Sequence, residues 1–371
     1  MKIYRVIEKI CLNIINFFWD LFVKIHEKRN IYKKRNIYKK IVLTDEQKKQ
    51  IDDFYIENYS KKISYKWHRL YTSYTGNFDY KYVPEYFFTT KIEKIGNRRL
   101  DVLPFENKNM LKSLFSGVSK YIDIPKTYLM KVNDNYFDEN NNPINENDAL
   151  KILNDKYCDF IIKISKDSNS GRGVKIVNLK NGFDKESGIS TLNLLKSFGK
   201  NFIVQELVKQ NDIVNKIYNK SINTLRVMTY ITDTGVHISP IIMRIGRGGN
   251  NVDNAHAGGI FISVNDDGKL GKEAFTEYQE RFNIHPDTKL KFENYQLPNI
   301  DILRKEIIKL HKRIPNIKFA SWDIAFNSDD KFSLIEVNLH SQAIWIQQMA
   351  HGKSFFEENT KEILKMISKR R

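Results

Sequence analysis

The stretch FASWDIAFNSDDKFSLIEVNLH, Phe319 to His340, consists of two apolar-rich runs around a turn-forming SDD, the pattern of a β-hairpin. Side chains alternate across a strand with period two. A loop of two or four residues centred on Asp329 and Asp330 puts Asp323 opposite Glu336 on one face. That face then carries Ser321, Asp323 and Ala325 with Glu336, Asn338 and His340, and Leu334 shares its side. The other carries Trp322, Ile324 and Phe326 with Ile335, Val337 and Leu339. Two carboxylates and an amide oxygen this close make a hard oxygen cluster suited to Mg²⁺, which also takes oxygens from phosphates. Without a cation the carboxylates would repel each other. The plain alternative is a solvent-facing strand face, although Lys and Thr, usual on wet faces, are missing from it.

Upstream, FIIKISKDSNSGRGVKIVNL (160–179) places Lys163 late in a strand, followed by a Ser/Asn/Gly loop and a second strand from Val174. No Gly-Lys-Ser/Thr ends the loop, so it is not a Walker motif. Its strand-loop-strand context also excludes a dinucleotide fingerprint. A glycine-rich hairpin can still close over phosphates with backbone N–H groups while a strand lysine supplies charge. An ordinary hairpin with a solvated lysine is the alternative.

Composition bounds these readings. A chain of 371 residues has room for two or three lobes. Hydrophobic content of 41% with 12% aromatics is that of a folded protein. Cys11 and Cys158 offer neither a disulfide framework nor a CxxC motif, which fits a reducing compartment. GxSxG and HExxH are absent, and the histidines show no zinc spacing. The net charge of +17 points to an anionic partner. Nucleic acid is not expected, because no recognition motif accompanies the charge.

Much of that charge sits early in the chain. Residues 1–40 hold eleven Lys or Arg against Glu8, Asp20 and Glu27. Ile3, Ile7, Ile10, Ile14, Phe17 and Leu21 recur at helical spacing, widened by Tyr4, Cys11, Phe18 and Ile25. RNIYKK follows twice, at 29–34 and 35–40. The charge-free stretch from Ile10 to Trp19 falls short of the roughly 20 residues that span a bilayer. An amphipathic helix with a polybasic tail suits an anionic membrane surface. A helix packed on its own domain or on a second subunit is the competing reading.

The remaining pattern predicts a polar helix over 45–59 and an aromatic segment, KWHRLYTSYTGNFDYKYVPEYFF, over 66–88. Strands are expected at Asp159–Ser165, Val174–Leu179, Asn201–Leu207, Thr224–Thr232, Val236–Arg244 and Gly259–Asn265, with helices at Thr191–Ser197 and Ile300–His311. The order argues for an α+β fold.

A lysine strand, a Gly-rich hairpin, FIVQELV (202–208) and a late Asp…Glu-x-Asn set, in that order, resemble the ATP-grasp superfamily. NTLRV (223–227), MRIGR (243–247) and VDNAHAGG (252–259) look like elements of its amino-acid ligases. The aromatic preface, TGNFDYKYVPE, NTLRV and SWDIAF are closer still to the sugar-transfer-associated ATP-grasp family of bacterial surface-polysaccharide synthesis. The resemblance implies a nucleotide between two α+β lobes, preceded by a helical N-terminal region. The expected organisation is a basic amphipathic helix (1–42), a helical and aromatic region (43–104), a pre-ATP-grasp segment (105–158), a lid lobe (159–208) and a catalytic lobe (209–371).

Carried onto this chain, the resemblance gives Lys163 to the ATP phosphates, Ser170, Gly171 and Gly173 to the lid, and Gln205, Glu206 and Leu207 to the adenine hinge. Asp323, Glu336 and Asn338 would hold Mg²⁺. Arg226, Arg244 and Asn254 would face the transferred phosphoryl group or a substrate carboxylate. Two departures stand out. Ser321 occupies the place of an arginine common in ATP-grasp ligases, and no glycine follows Asn338. The implied activity is an ATP-dependent carboxylate-amine ligase acting through an acyl phosphate in capsule or surface-polysaccharide synthesis. It would be cytoplasmic or peripheral on the inner membrane face. A phosphotransferase acting on a sugar hydroxyl and a non-catalytic glycan-binding module are the rivals.

Overall fold

A computed structural model describes residues 2–156, 158–166 and 173–368. The hairpin that opened the sequence lies inside a nine-stranded sheet. Its order runs Ile122–Asp123, Phe332–Asn338, Phe319–Phe326, Thr224–Thr232, Ile241–Ile245, Ile260–Val264, Leu270–Phe275, Arg281–Phe282. Gly235–Ile238 joins the same edge of Thr224–Thr232 as Ile241–Ile245 does. The strand predicted over Val236–Arg244 is therefore two strands. Pro240 stands in the gap, where its missing N–H cannot continue a ladder.

A second, six-stranded sheet carries the lysine strand: Pro143–Ile144, Asn135–Phe137, Thr127–Val132, Asn201–Glu206, Phe160–Ile164, Val174–Val177. Two lobes, each α+β, result. Helices Glu146–Asn154 and Thr191–Ser197 cover the smaller sheet, closing a core of Leu129, Leu153, Phe160, Ile162, Leu195, Phe202 and Val204.

The large sheet buries its apolar face under helix Ile300–His311. Ile300, Leu303, Ile307 and Leu310 recur at helical spacing and meet Trp322, Ile324 and Phe326. Each such side chain contributes about 1.5–3 kcal/mol on burial. His311 closes this layer: it joins Thr229 Oγ1 through Nδ1 (2.5 Å) and Ile317 O through Nε2 (2.8 Å), while Trp322 Nε1 donates to Thr229 (2.7 Å).

The hairpin register matches expectation at the point that matters and departs from it elsewhere. Asp323 pairs with Glu336 and Ser321 with Asn338, yet Phe326 pairs with Phe332 and Ile324 with Leu334. The loop is thus five residues, Asn327 to Lys331, and Ile335 is a bulge that restores the register. Asn327 Oδ1 accepts from the backbone N–H groups of Asp329 and Lys331, and Asp330 adopts a left-handed conformation, which accounts for the odd loop. The bulge also re-phases the alternation. Phe332, Leu334, Val337 and Leu339 form the core face, and Ile335 leaves it, contrary to the strict period-two reading.

The early helices pack on the large sheet. Phe54, Tyr55, Phe87 and Phe88 share one core with Met228, Tyr230, Phe319, Phe355 and Phe356. Leu70, Tyr71 and Tyr74 share another with Ile242, Phe261, Phe275 and Met349. Helix Asp45–Tyr59 starts at a capping box between Thr44 and Gln47.

Candidate active site

Strand pairing builds the site floor. Arg226 is the cross-strand partner of Asp323, and Arg244 lies opposite Thr224 one strand further out. Arg226 grips Asp323 through two bonds, Nε to Oδ1 (2.5 Å) and Nη2 to Oδ2 (3.0 Å). Arg244 Nη2 reaches the same Oδ2 at 3.0 Å. Burial opposes the charge on Asp323, but the two guanidiniums outweigh it and hold the carboxyl below its usual range. Arg244 also bonds Thr224 Oγ1 (Nη2, 2.6 Å) and lies 3.5 Å from Asp253, whose Oδ2 accepts from the Thr224 N–H and hydroxyl. Asp253 is pushed up by burial, with Arg244 opposing.

The second carboxylate is more open. Glu336 forms an ion pair with Lys108 at 2.8 Å. Lys108 comes from the turn Lys108–Met110, and its N–H donates to Ser165 O of the lysine lobe (3.1 Å), so it ties the two lobes at the site. Lys163 is buried, and Gln205 Oε1 accepts from its ammonium at 3.3 Å. Burial lowers Lys163 to about 8, while the Glu336 charge pulls it back up and Lys108 pushes it down. Lys163 and Glu336, on different sheets, therefore sense one another.

Asn338 follows on the same face as Asp323 and Glu336. Ser321, opposite it, is fully buried with an Oγ that has no hydrogen-bond partner among the described residues. Arg226 and Arg244 both bring their guanidiniums to Asp323, two residues along the strand from Ser321. Asn254 caps the turn Ala255–Ala257 by accepting from the His256 N–H (2.9 Å). Gly259 permits that loop to close, since a Cβ there would lie 2.5 Å from Asp253 O. Ser170 and Gly171 lie outside the described residues. Gly173 has φ +68° and would put a Cβ 2.3 Å from Ile164, so only glycine fits the hairpin as built.

At the end of strand Asn201–Glu206, Gln205 Nε2 donates to Pro125 O (3.3 Å), and Glu206 Oε1 accepts from the Lys126 N–H (2.8 Å). Leu207 is half-buried just beyond the strand. His340 bonds Ser341 Oγ (2.8 Å), and burial with Arg99 and Lys94 lowers its pKa. Lys108, Asp253 and Thr224 were not singled out from sequence. Asp253 and Thr224 sit inside the quoted motifs NTLRV and VDNAHAGG, whereas nothing around Lys108 marks it.

Among the described residues no three His, Cys, Asp or Glu side chains are grouped to hold a metal by themselves. Two carboxylates and one amide, facing one side, fit Mg²⁺ only if a ligand supplies further oxygens. The charge count agrees: Asp323, Glu336 and Asp253 are surrounded by Arg226, Arg244, Lys108 and Lys163. Among these described groups four cations meet three anions, so the site suits a polyanion that brings its metal with it.

The sequence matches the family described as sugar-transfer associated ATP-grasp over residues 88–365. Solved structures similar to the chain include a biotin carboxylase complex from Campylobacter jejuni (12% identity, TM-score 0.42, covering 74% of this chain and 48% of that one). Another is D-alanyl-alanine synthetase A from Vibrio cholerae (14%, TM-score 0.41, 73% and 66%). A third is VanG D-Ala:D-Ser ligase from Enterococcus faecalis (13%, TM-score 0.43, 74% and 64%). The chain thus spans between 48% and 66% of the length of these structures. No curated protein matches the sequence.

Proposed function

The chain belongs to the sugar-transfer associated ATP-grasp family, and on that premise we propose that it is an ATP-dependent carboxylate-amine ligase of surface-polysaccharide synthesis, with a uronic acid or amino acid as its carboxylate. The observation that supports this reading is the meeting of the two sheets at Lys108, which pairs with Glu336 at 2.8 Å and donates its N–H to Ser165 O at 3.1 Å, next to the strand that carries the buried Lys163. Lys163 would meet the ATP phosphates under the hairpin that Gly173 closes, with Ser170 and Gly171 in the same lid. Gln205, Glu206 and Leu207 would border the adenine, and the Gln205 amide would also orient Lys163.

Asp323, Glu336 and Asn338 would hold Mg²⁺, which when bound neutralises triphosphate charge. A substrate carboxylate oxygen attacks the γ-phosphorus, the bond to the bridging oxygen of ADP breaks, and an acyl phosphate forms. An amine nitrogen then attacks the acyl carbon, phosphate leaves, and the amine loses a proton. Arg226 and Arg244 spend Nε and Nη2 on the carboxylates and Thr224, and among the described residues their Nη1 groups have no partner. Those groups would bind the carboxylate and the charge that builds up in transfer. Asn254 would bear on the same substrate end from its capped turn. Here the protein's contribution is positioning and charge neutralisation.

Incubation with ATP, Mg²⁺ and a panel of uronic acids and amino acids, read by mass spectrometry, tests the reading. ADP release that requires both a carboxylate and an amine, with free phosphate and an amide product, is expected. A phosphorylated sugar formed without any amine would replace the ligase by a phosphotransferase. Absence of thermal stabilisation by Mg-ATP would leave a non-catalytic module.

A further inference from the structure

The helix Lys2–Lys33 is amphipathic and leaves a broad apolar face exposed. It contacts the segments Glu85–Phe87 and Phe88–Ile92, and of its last turns Glu27 and Ile31 are buried, Ile31 in the core of Trp67, Leu70 and Tyr71. Ile7, Ile14, Phe18, Phe22 and Ile25 fall on the opposite side at about 100° per residue, and flanking Ile10, Ile15, Phe17 and Leu21 widen that sector. All of these are exposed, Phe17 at 65% and Phe18 at 62%. Folding has therefore left an aromatic-rich apolar face uncovered, well beyond scattered surface hydrophobics.

Charge decides what covers it. In the next turns Lys28, Arg29 and Lys33 are exposed on the same sector as the apolar residues. A parallel pair of copies would stack these like charges, and an antiparallel pair would lay each basic turn on the partner's apolar turns. Anionic lipid meets both needs at once, with acyl chains under the apolar rings and phosphates against the cations. No described helix is long and apolar enough to cross a membrane, so the helix would lie in the interface.

We propose that the outer face of helix Lys2–Lys33 seats the protein on an anionic lipid bilayer. The seat is firmly rooted. Lys34 is buried, paired with Glu277 at 2.7 Å and set over the rings of Tyr278 and Trp345 at 5.2 and 5.7 Å. Arg69 holds the following residues by donating to Lys39 O and Ile41 O. Glu277 also bonds His256 Nδ1 at 2.7 Å, beside Asn254. A membrane-seated helix would thus fix the orientation of the loop that borders the cleft, a placement suited to substrates at the bilayer surface. The inference stands independently of the ligase reading.

The test is co-sedimentation of the full chain with vesicles of phosphatidylcholine, with and without phosphatidylglycerol. Binding to the anionic vesicles is expected, weakened by salt. Phe18→Asp with Phe22→Asp should lower it at least about tenfold, and Lys28→Glu with Arg29→Glu and Lys33→Glu should abolish the preference for anionic lipid. All five positions are exposed, and an unchanged melting temperature shows that the fold is kept. Wild-type protein that stays in the supernatant, or binding untouched by the Phe substitutions, would overturn the proposal. A lipid-free dimer that Phe18→Asp with Phe22→Asp dissociates would assign the face to a second copy instead.

Discussion

On the nine-stranded sheet Asp323 takes bonds from two guanidiniums at 2.5 to 3.0 Å. On the six-stranded sheet Lys163 has, among the described residues, one hydrogen bond, to Gln205 at 3.3 Å. Both groups are buried, but the carboxylate is matched and the lysine is not. The carboxyl of the matched group is held below its usual range by the two guanidiniums, whereas burial drives the unmatched one down to about 8. The floor is a finished electrostatic structure, and the smaller sheet holds a cation that no carboxylate matches at hydrogen-bond distance among the described residues. A triphosphate would supply that charge, so the two lobes respond differently to ligand.

Asp323→Asn should be the most damaging change, because it leaves Arg226 and Arg244 buried without their carboxylate. A loss of about 3–5 kcal/mol in urea unfolding is expected, together with loss of turnover. A stability within about 1 kcal/mol of wild type would break the contrast. Glu336→Gln, at the more open edge, should keep stability within about 1 kcal/mol and lower turnover by about 10²–10³, the scale of removing one preorganised charge contact. Full activity of this variant would remove Glu336 from the metal set.

Lys163→Met should weaken ATP binding by about 10- to 100-fold, the worth of a charged hydrogen bond, while leaving the free protein as stable as wild type or more so. Calorimetric titration and melting curves read the two effects separately. Equal loss of stability with Asp323→Asn would mean that the lysine is as tightly matched as the floor.

The pH dependence follows from the same difference and is smaller. Between about 8 and 10.5 the unfolded chain holds a proton on Lys163 that the fold does not, so this group adds stability as pH rises through that window. ATP favours the charged form. Its affinity should therefore fall as pH climbs above about 8, by up to about tenfold per unit, and the Lys163→Met variant should lack this component.

Where local pattern governs, sequence was enough. The helices Thr191–Ser197 and Ile300–His311 and the strand Thr224–Thr232 occur at the expected bounds, because apolar spacing and caps act over a few residues. The Asp323–Glu336 pairing was also legible from the turn and the alternation. The bulge at Ile335 was not: the five-residue loop shifts the register by one residue and the bulge shifts it back before the site, so period two alone cannot reveal it.

By itself the sequence determined which chemistries are present and their order: a lysine on a strand, a glycine hairpin, two arginines, and the Asp, Glu and Asn of the last hairpin. Tertiary structure decided how they are used. Arg226 and Asp323 are separated by 97 positions and become partners only through sheet register. Lys108 enters the site because its turn bridges the lobes, and the first helix keeps an apolar face outward because only its last turns, at Glu27 and Ile31, are buried by the fold among the described side chains. Residue type and spacing act locally, whereas ion pairing and burial depend on which distant surfaces meet.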